Sequence, residues 1–80
     1  MVTVRLFAAA RAAAGSSEVE VAPGPLADVL ASLLERSAGD LARVLPHCAL
    51  VAGGERLDPA SSVELPSGTV LDVLPPFAGG

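Results

Sequence analysis

The stretch VTVRLF, from Val2 to Phe7, decides the fold of this chain. Val2, Val4 and Leu6 alternate with the other three residues, and a two-residue period is typical of a β-strand with one face in the core. The opposite face mixes polar and apolar side chains: Thr3, Arg5 and Phe7. The pattern predicts a first strand whose two faces both have apolar contacts to make.

A matching stretch, TVLDVL, lies near the other end of the chain at residues 69–74. It predicts the last strand, with Leu71 and Val73 on one face and with Val70, Asp72 and Leu74 on the other. Because the first and last strands both carry apolar residues on each face, we expect them to be neighbours at the centre of one sheet. The following Pro75 and Pro76 end the strand, since proline cannot donate to a sheet ladder.

The intervening sequence predicts one main helix. Pro25 suits a first helical position, and apolar residues then recur with helical spacing as far as about Gly39: Leu26, Val29, Leu30, Leu33 and Leu34. The other predicted elements are shorter. They are a helical turn or loop at 8–15, a strand at 17–21, a helical turn at 40–45 that Pro46 stops, and a strand at 48–52. Gly53-Gly54 then predicts a hairpin that returns through Leu57.

This order predicts an α+β domain in which a mixed sheet of four to five strands packs on one main helix. A small sheet that grips a single helix is the ubiquitin-like β-grasp fold. We expect a single domain over residues 1–74, followed by a flexible tail over residues 75–80 that ends in Gly-Gly.

Composition excludes several classes of function. The net charge is −4, all five basic residues are arginines and only two residues are aromatic, so nucleic acid is not an expected partner. No uncharged apolar run approaches the length of a membrane helix, and the single cysteine, Cys48, cannot form an intrachain disulfide. We therefore expect a cytoplasmic protein that binds no membrane.

Few side chains could serve chemistry of their own. His47 lies beside Cys48, but neighbouring strand residues point to opposite faces and no third ligand is near in sequence, so no metal site is expected. No phosphate-binding loop of the GxxxxGK[ST] type is present, so we expect no bound cofactor, and any ATP must be handled by a partner.

Two Gly-Gly pairs occur, and their settings differ. Gly53-Gly54 lies between two predicted strands and needs only turn geometry, whereas Gly79-Gly80 has no strand to return to. One interpretation is a frayed tail without function. The other is chemical: a carboxylate on a residue without a side chain can enter a narrow channel, where adenylation with ATP turns it into an anhydride that a sulfur nucleophile attacks. The product is a thiocarboxylate at Gly80.

The residues before this pair fit the chemical interpretation. Pro75 and Pro76 restrict φ and hold the tail away from the sheet. Phe77 would be the apolar anchor of the tail, since burying it against a partner contributes about 2 kcal/mol. Alternatively, Phe77 folds back on the sheet of its own domain.

The two ends of the chain together resemble a known family. VTVRLFAAARAAAG at residues 2–15 and LDVLPPFAGG at residues 71–80 look like the small, sulfur-carrying subunit of molybdopterin synthase. The resemblance covers essentially the whole chain. It implies a ubiquitin-like protein that an adenylyltransferase similar to ubiquitin-activating enzymes activates at its last residue. It also implies that the loaded chain docks into a larger, catalytic synthase subunit.

The resemblance also implies roles for individual residues. Gly80 matches the residue that is adenylated and thiocarboxylated, and Gly79 and Ala78 match the part of the tail that threads into the partner. Partner contacts are implied for Phe7, Arg11, Leu74, Pro75, Pro76 and Phe77. The chain would be a monomer alone and part of a heterotetramer with the large subunit, to which it delivers sulfur for a cyclic pyranopterin precursor. It would supply no catalytic side chains.

Four alternatives stay open at this point. Phe7 could instead cover the outer sheet face of its own domain, and Arg11 could be a solvated charge. The chain could carry sulfur for cysteine, thiamine or tRNA thiolation. It could also be a ubiquitin-like module that binds partners without covalent chemistry.

Overall fold

The structure is a computed structural model that describes residues 1–75 of the chain. Its strands and helices follow in this order: β1 (Val2–Leu6), α1 (Ala8–Ala14), β2 (Glu18–Val21), β3 (Gly24–Pro25), α2 (Leu26–Arg36), α3 (Leu41–Val44), a 3-10 turn (Leu45–His47), β4 (Ala49–Ala52), β5 (Glu55–Leu57), β6 (Glu64–Leu65) and β7 (Val70–Leu74).

Five of the strands form one mixed sheet in the order β2-β1-β7-β4-β5. β1 and β7 run parallel, with Arg5 opposite Asp72 and Leu6 opposite Val73, while the other neighbours in this sheet are antiparallel. The predicted pairing of the first and last strands near the centre is therefore confirmed. So is the predicted α+β architecture, because α2 packs across one face of a mixed sheet as in the β-grasp fold.

The core lies between this sheet and the helices and is aliphatic. β1 and β7 direct alternate side chains into it: Val2, Val4, Leu6, Leu71 and Val73 are all nearly inaccessible to solvent. α2 contributes Leu26, Val29 and Leu33 from the stripe that the helical spacing predicted. Among residues 1–75, no polar or charged residue is buried in this core. Hydrophobic burial is therefore the main force that holds α2 on the sheet.

The structure corrects the predicted bounds of the helices. The segment at 8–15 is a helix, which Gly15 ends in the left-handed conformation with φ 77°. α2 starts at Leu26, one residue after Pro25, and ends at Arg36 rather than near Gly39. A tertiary contact sets this end of α2. The backbone becomes extended at Ser37, and the N–H of Ala38 donates to the carbonyl of Ala14 at 3.0 Å.

A second, two-stranded sheet was not among the predicted elements. β3 pairs with β6 through Gly24 opposite Leu65 and Pro25 opposite Glu64. The N–H of Leu26 then donates to the carbonyl of Val63 at 2.9 Å, which ties the start of α2 to this segment. Two-residue strands have too few positions to show a period, so their pairing is set by tertiary packing.

No helix of the described chain, residues 1–75, is both long and apolar enough to cross a membrane.

Candidate functional site

The structure brings several predicted contact residues to one end of the β1–β7 pair. The N–H of Phe7 donates to the carbonyl of Val73 at 3.3 Å, which puts Phe7 beside Leu74 and Pro75. The carbonyl of Phe7 accepts from the N–H of Arg11 at 3.3 Å, so Arg11 lies one helical turn further on. This end is also where the chain leaves the sheet toward its terminus. The other predicted site residues, Pro76, Phe77, Ala78, Gly79 and Gly80, lie outside the described residues.

The backbone of Phe7 is held from both sides. Phe7 is extended and caps α1, and its carbonyl accepts from Ala10 as well as from Arg11. The next residue, Ala8, has φ +50°, a region that residues with a Cβ rarely adopt. The turn from β1 into α1 therefore stores backbone strain directly after Phe7. Phe7 as a whole residue is 39% exposed, far more than a core aromatic residue.

We define the outer face as the solvent side of the sheet formed by Thr3, Arg5, Phe7, Val70, Asp72 and Leu74 from β1, β7 and the residue after β1. It is partly apolar. Val70 is 41% exposed, and Leu74 is half-buried. An exposed cluster of this kind, next to the exit of the chain, is a suitable surface for docking a partner.

An ion pair lies at the centre of the outer face. The Arg5 guanidinium donates through Nε to Asp72 Oδ1 at 2.7 Å and through Nη2 to Oδ2 at 3.0 Å. The hydrogen bond and then the charge of Asp72 raise the pKa of Arg5 further above its already high ordinary value, so this guanidinium stays charged. Its Cζ also lies 5.7 Å from the centre of the Phe7 ring, within cation–π distance.

Arg5 and Asp72 were not among the predicted contact residues, although they lie at the centre of the outer face. A signal was present, because each was predicted on the outer face of one of two neighbouring strands and their charges are opposite. The missing information was the register that sets Arg5 opposite Asp72, which follows from packing of the whole sheet.

Cys48 lies elsewhere and is buried. Its Sγ is 3.3 Å from the Val44 carbonyl, to which the thiol donates. Burial raises the pKa of this thiol, so it stays protonated and is a poor nucleophile at neutral pH. No group of three or more possible metal ligands occurs in the part of the chain that the structure describes. Close to Cys48 in the chain, Leu45 and Pro46 help to line an apolar depression of about 300 Å³ beside α2, which offers no polar group to a reaction.

Several solved structures of other proteins are similar to this chain. No protein-family model matches the sequence, and no curated protein matches it. Solved structures do. SAMP1 from Haloferax volcanii aligns with a TM-score of 0.75 at 26% identity, over 99% of this chain and 98% of that chain.

Two further matches are to structures of complexes. A chain in the complex of subunits 1 and 2 of the molybdopterin-converting factor from Helicobacter pylori aligns with a TM-score of 0.75 at 26% identity, over 99% of this chain and 97% of that one. A chain of the BexX/CysO complex from Amycolatopsis orientalis aligns over the full length of both chains with a TM-score of 0.80. At 24% identity, this last match supports the fold alone.

All three matches span nearly the whole of both chains, so the likeness concerns the whole of this chain and not one motif. The predicted β-grasp fold is thereby confirmed, and the predicted resemblance is confirmed at the level of a broad group. The chain therefore has the ubiquitin-like β-grasp fold and is similar, over nearly its whole length, to SAMP1 and to a chain of the molybdopterin-converting factor.

Proposed function

We propose that this chain carries sulfur in molybdenum cofactor biosynthesis, as the small subunit of a molybdopterin synthase. The carboxylate of Gly80 reacts with ATP on an activating partner, which releases pyrophosphate and leaves an acyl adenylate. Hydrosulfide then attacks the acyl carbon, displaces AMP and leaves a thiocarboxylate. In the synthase, the thiocarboxylate sulfur passes to the cyclic pyranopterin precursor, and water restores the Gly80 carboxylate.

The full-length likeness to a chain of the Helicobacter pylori molybdopterin-converting factor is the observation that carries this proposal. That structure is a complex of two subunits, which agrees with a small chain that works inside a larger partner. The sequence adds the glycine pair that the chemistry needs, at the last two positions of the chain.

The position of the chain exit supports the same function. β7 ends at Leu74, and Gly80 lies six positions further along the chain. Six residues can span at most about 20 Å, which is enough to bring a terminal carboxylate into an active site while the folded domain stays outside. The folded domain therefore serves to bind the partner and to position the tail, and catalytic side chains come from the partners.

The outer face is the surface that we assign to docking. Phe7 and Leu74 would contact the apolar part of the large subunit, with Arg11 as a charged contact at the border. Pro75, Pro76 and Phe77 would continue this contact along the tail, with Ala78 and Gly79 inside the channel. The same surface would face the adenylyltransferase, because both partners must receive the same terminus. We expect a monomer in isolation and a heterotetramer with the large subunit.

Intact mass of the purified chain tests the loading step. The chain is incubated with its adenylating partner, ATP and a sulfide source, and a parallel sample lacks ATP. We expect a mass gain equal to replacement of one oxygen by sulfur, mapped by fragmentation to Gly80 and absent without ATP. Loaded chain is then mixed with the large subunit and the cyclic pyranopterin precursor, and the thiocarboxylate should be consumed as molybdopterin forms.

A second candidate function is covalent modification of other proteins, because the match to the modifier SAMP1 is as strong as the match to the molybdopterin-converting factor. The experiment separates the candidates. Loading without transfer to the precursor would favour a sulfur carrier of another pathway. Conjugates of higher mass on denaturing gels, with the Gly80 carboxyl joined to lysine amines, would favour a modifier. Absence of any loading would leave a non-covalent binding module.

A further inference from the structure

The ion pair between Arg5 and Asp72 occupies an unusual place, at the middle of the face that the proposed function assigns to docking. Its side chains are 49% and 24% exposed. Exposed ion pairs of this kind contribute little to folding stability, because solvent screens them and two side chains must be ordered. Stability alone therefore gives a weak reason for a charged pair among apolar docking residues.

The geometry of the pair directs the guanidinium toward Phe7. Arg5 lies opposite Glu18 on β2 as well as opposite Asp72 on β7 in the sheet register. The Arg5 side chain donates its hydrogen bonds to Asp72. Both bonds to Asp72 use the planar fork of the guanidinium, which fixes its orientation as well as its position. In that orientation its Cζ lies 5.7 Å from the Phe7 ring centre.

The backbone on each side of Phe7 is already fixed. The Phe7 N–H donates to the Val73 carbonyl, and the Phe7 carbonyl accepts from N–H groups in the first turn of α1. The next residue, Ala8, has a strained positive φ. The remaining freedom of Phe7 lies in its side-chain torsions, since the residue is partly exposed to solvent. Among residues 1–75, the cation–π contact with Arg5 is the one contact of this kind that could restrict the ring.

We propose that Arg5, oriented by Asp72, is a positioning residue that holds the Phe7 ring ready for docking beside the exit of the chain. This inference rests on the proposed function for its partner and deepens it. Holding the ring in place before docking lowers the entropy cost of ordering it on association. The ion pair therefore acts on partner affinity more than on folding stability. The partner surface that fits is an apolar socket for the ring.

The first test needs no partner. With only two phenylalanines and no tyrosine or tryptophan in the chain, the ring of Phe7 can be followed by aromatic carbon relaxation in nuclear magnetic resonance. We expect Arg5→Met and Asp72→Asn to increase ring motion of Phe7 and to leave the unfolding temperature nearly unchanged. Arg56→Met is the matched control, because Arg56 is an exposed arginine of the same sheet, on β5. Unchanged ring motion in Arg5→Met would overturn the positioning role.

The second test is a double-mutant cycle on binding of the large subunit, measured by calorimetric titration with the intact chain. Arg5→Met should weaken binding by about two- to fivefold in the natural chain. In a chain that carries Phe7→Leu, the same change should have no further effect, since the ring on which Arg5 acts is gone. Equal losses in both backgrounds would show that Arg5 acts independently of Phe7 and would overturn the proposal.

The two tests also separate this inference from the proposed function. If the natural chain fails to bind the large subunit, the proposed function fails, and the assignment to docking fails with it. The relaxation measurement then still decides whether Arg5 orders Phe7. If the natural chain binds and Phe7 is ordered equally with and without Arg5, the proposed function stands and this inference is wrong.

Discussion

The two faces of β1 and β7 differ in almost every physical property, although they belong to the same ten residues of two parallel strands. The inner face is aliphatic and closed to solvent, with Leu71 and Val4 fully buried. The outer face mixes an exposed ion pair with exposed apolar side chains. The inner face supplies the burial that holds the domain together, and this leaves the outer face free to be selected for contacts with partners.

The largest effect is expected from deletion of Gly80, which should separate function from folding completely. The proposed chemistry uses the carboxyl group of this residue, so a chain that ends at Gly79 should lose all molybdopterin formation. The unfolding temperature should not change, because a terminal glycine contributes no side chain to the core. Molybdopterin synthesis in cells that lack the carrier measures the first effect, and calorimetry measures the second.

The hairpin pair gives a control for this deletion. Replacing Gly54 alters a turn far from the terminus in sequence, and the variant should still be loaded with sulfur. Restored molybdopterin synthesis by the chain without Gly80 would contradict the carrier chemistry. Equal loss of function in the Gly54 variant would mean that folding, and not the terminal carboxyl, limits the assay.

A pair of adjacent substitutions in β7 tests the two faces directly. Leu71 is fully buried and Val70 is 41% exposed. Leu71→Ala should lower the free energy of unfolding by about 2–5 kcal/mol, from lost burial and the cavity that remains. Val70→Ala should change it by no more than about 0.5 kcal/mol. Denaturant titration of both variants measures the difference, and similar losses for the two would refute the division between the faces.

Much of the inner face could be predicted from the sequence. The alternation of VTVRLF and TVLDVL places each buried side chain of the two central strands correctly, because burial of one face imposes a period of two. The main helix was likewise predictable from the spacing of Leu26, Val29 and Leu33. These are local patterns that a core imposes on the sequence directly.

The outer face was harder to predict, because solvent exposure imposes no pattern. Partner contacts at Phe7 and Leu74 were predicted only from the family resemblance, and the pairing of Arg5 with Asp72 depends on the sheet register. The early end of α2 likewise depends on a bond from Ala38 to Ala14, between segments distant in sequence. Features set by contacts between distant segments leave little trace in either segment alone.

A comparison of two glycines is expected to show a smaller effect. Gly53 has φ +58° in the β4–β5 turn, whereas no positive φ occurs at Gly39 and both have open space where a Cβ would lie. Gly53→Ala should destabilise the domain by about 1 kcal/mol, because a residue with a Cβ is strained at that φ. Gly39→Ala should stabilise it by about 0.5 kcal/mol by restricting the unfolded chain. Thermal unfolding of both variants checks the opposite signs.

The smallest effect is expected from deprotonation of the Cys48 thiol at alkaline pH. It tests whether the buried core tolerates a charge, as the exposed outer face tolerates the Arg5–Asp72 pair. Burial raises the pKa of this thiol above its ordinary 9.0, so the folded state retains the proton at a pH where the unfolded chain has lost it. The unfolded state then binds fewer protons, and stability must fall as the pH rises from the ordinary pKa through the raised one. The contribution of the neutral thiol is fully present below that range.

We therefore expect the unfolding temperature to fall more steeply with rising alkaline pH for the natural chain than for Cys48→Ala. Parallel curves for the two chains would show that the thiol ionises as readily in the folded domain as in the unfolded chain, and that this part of the core admits water.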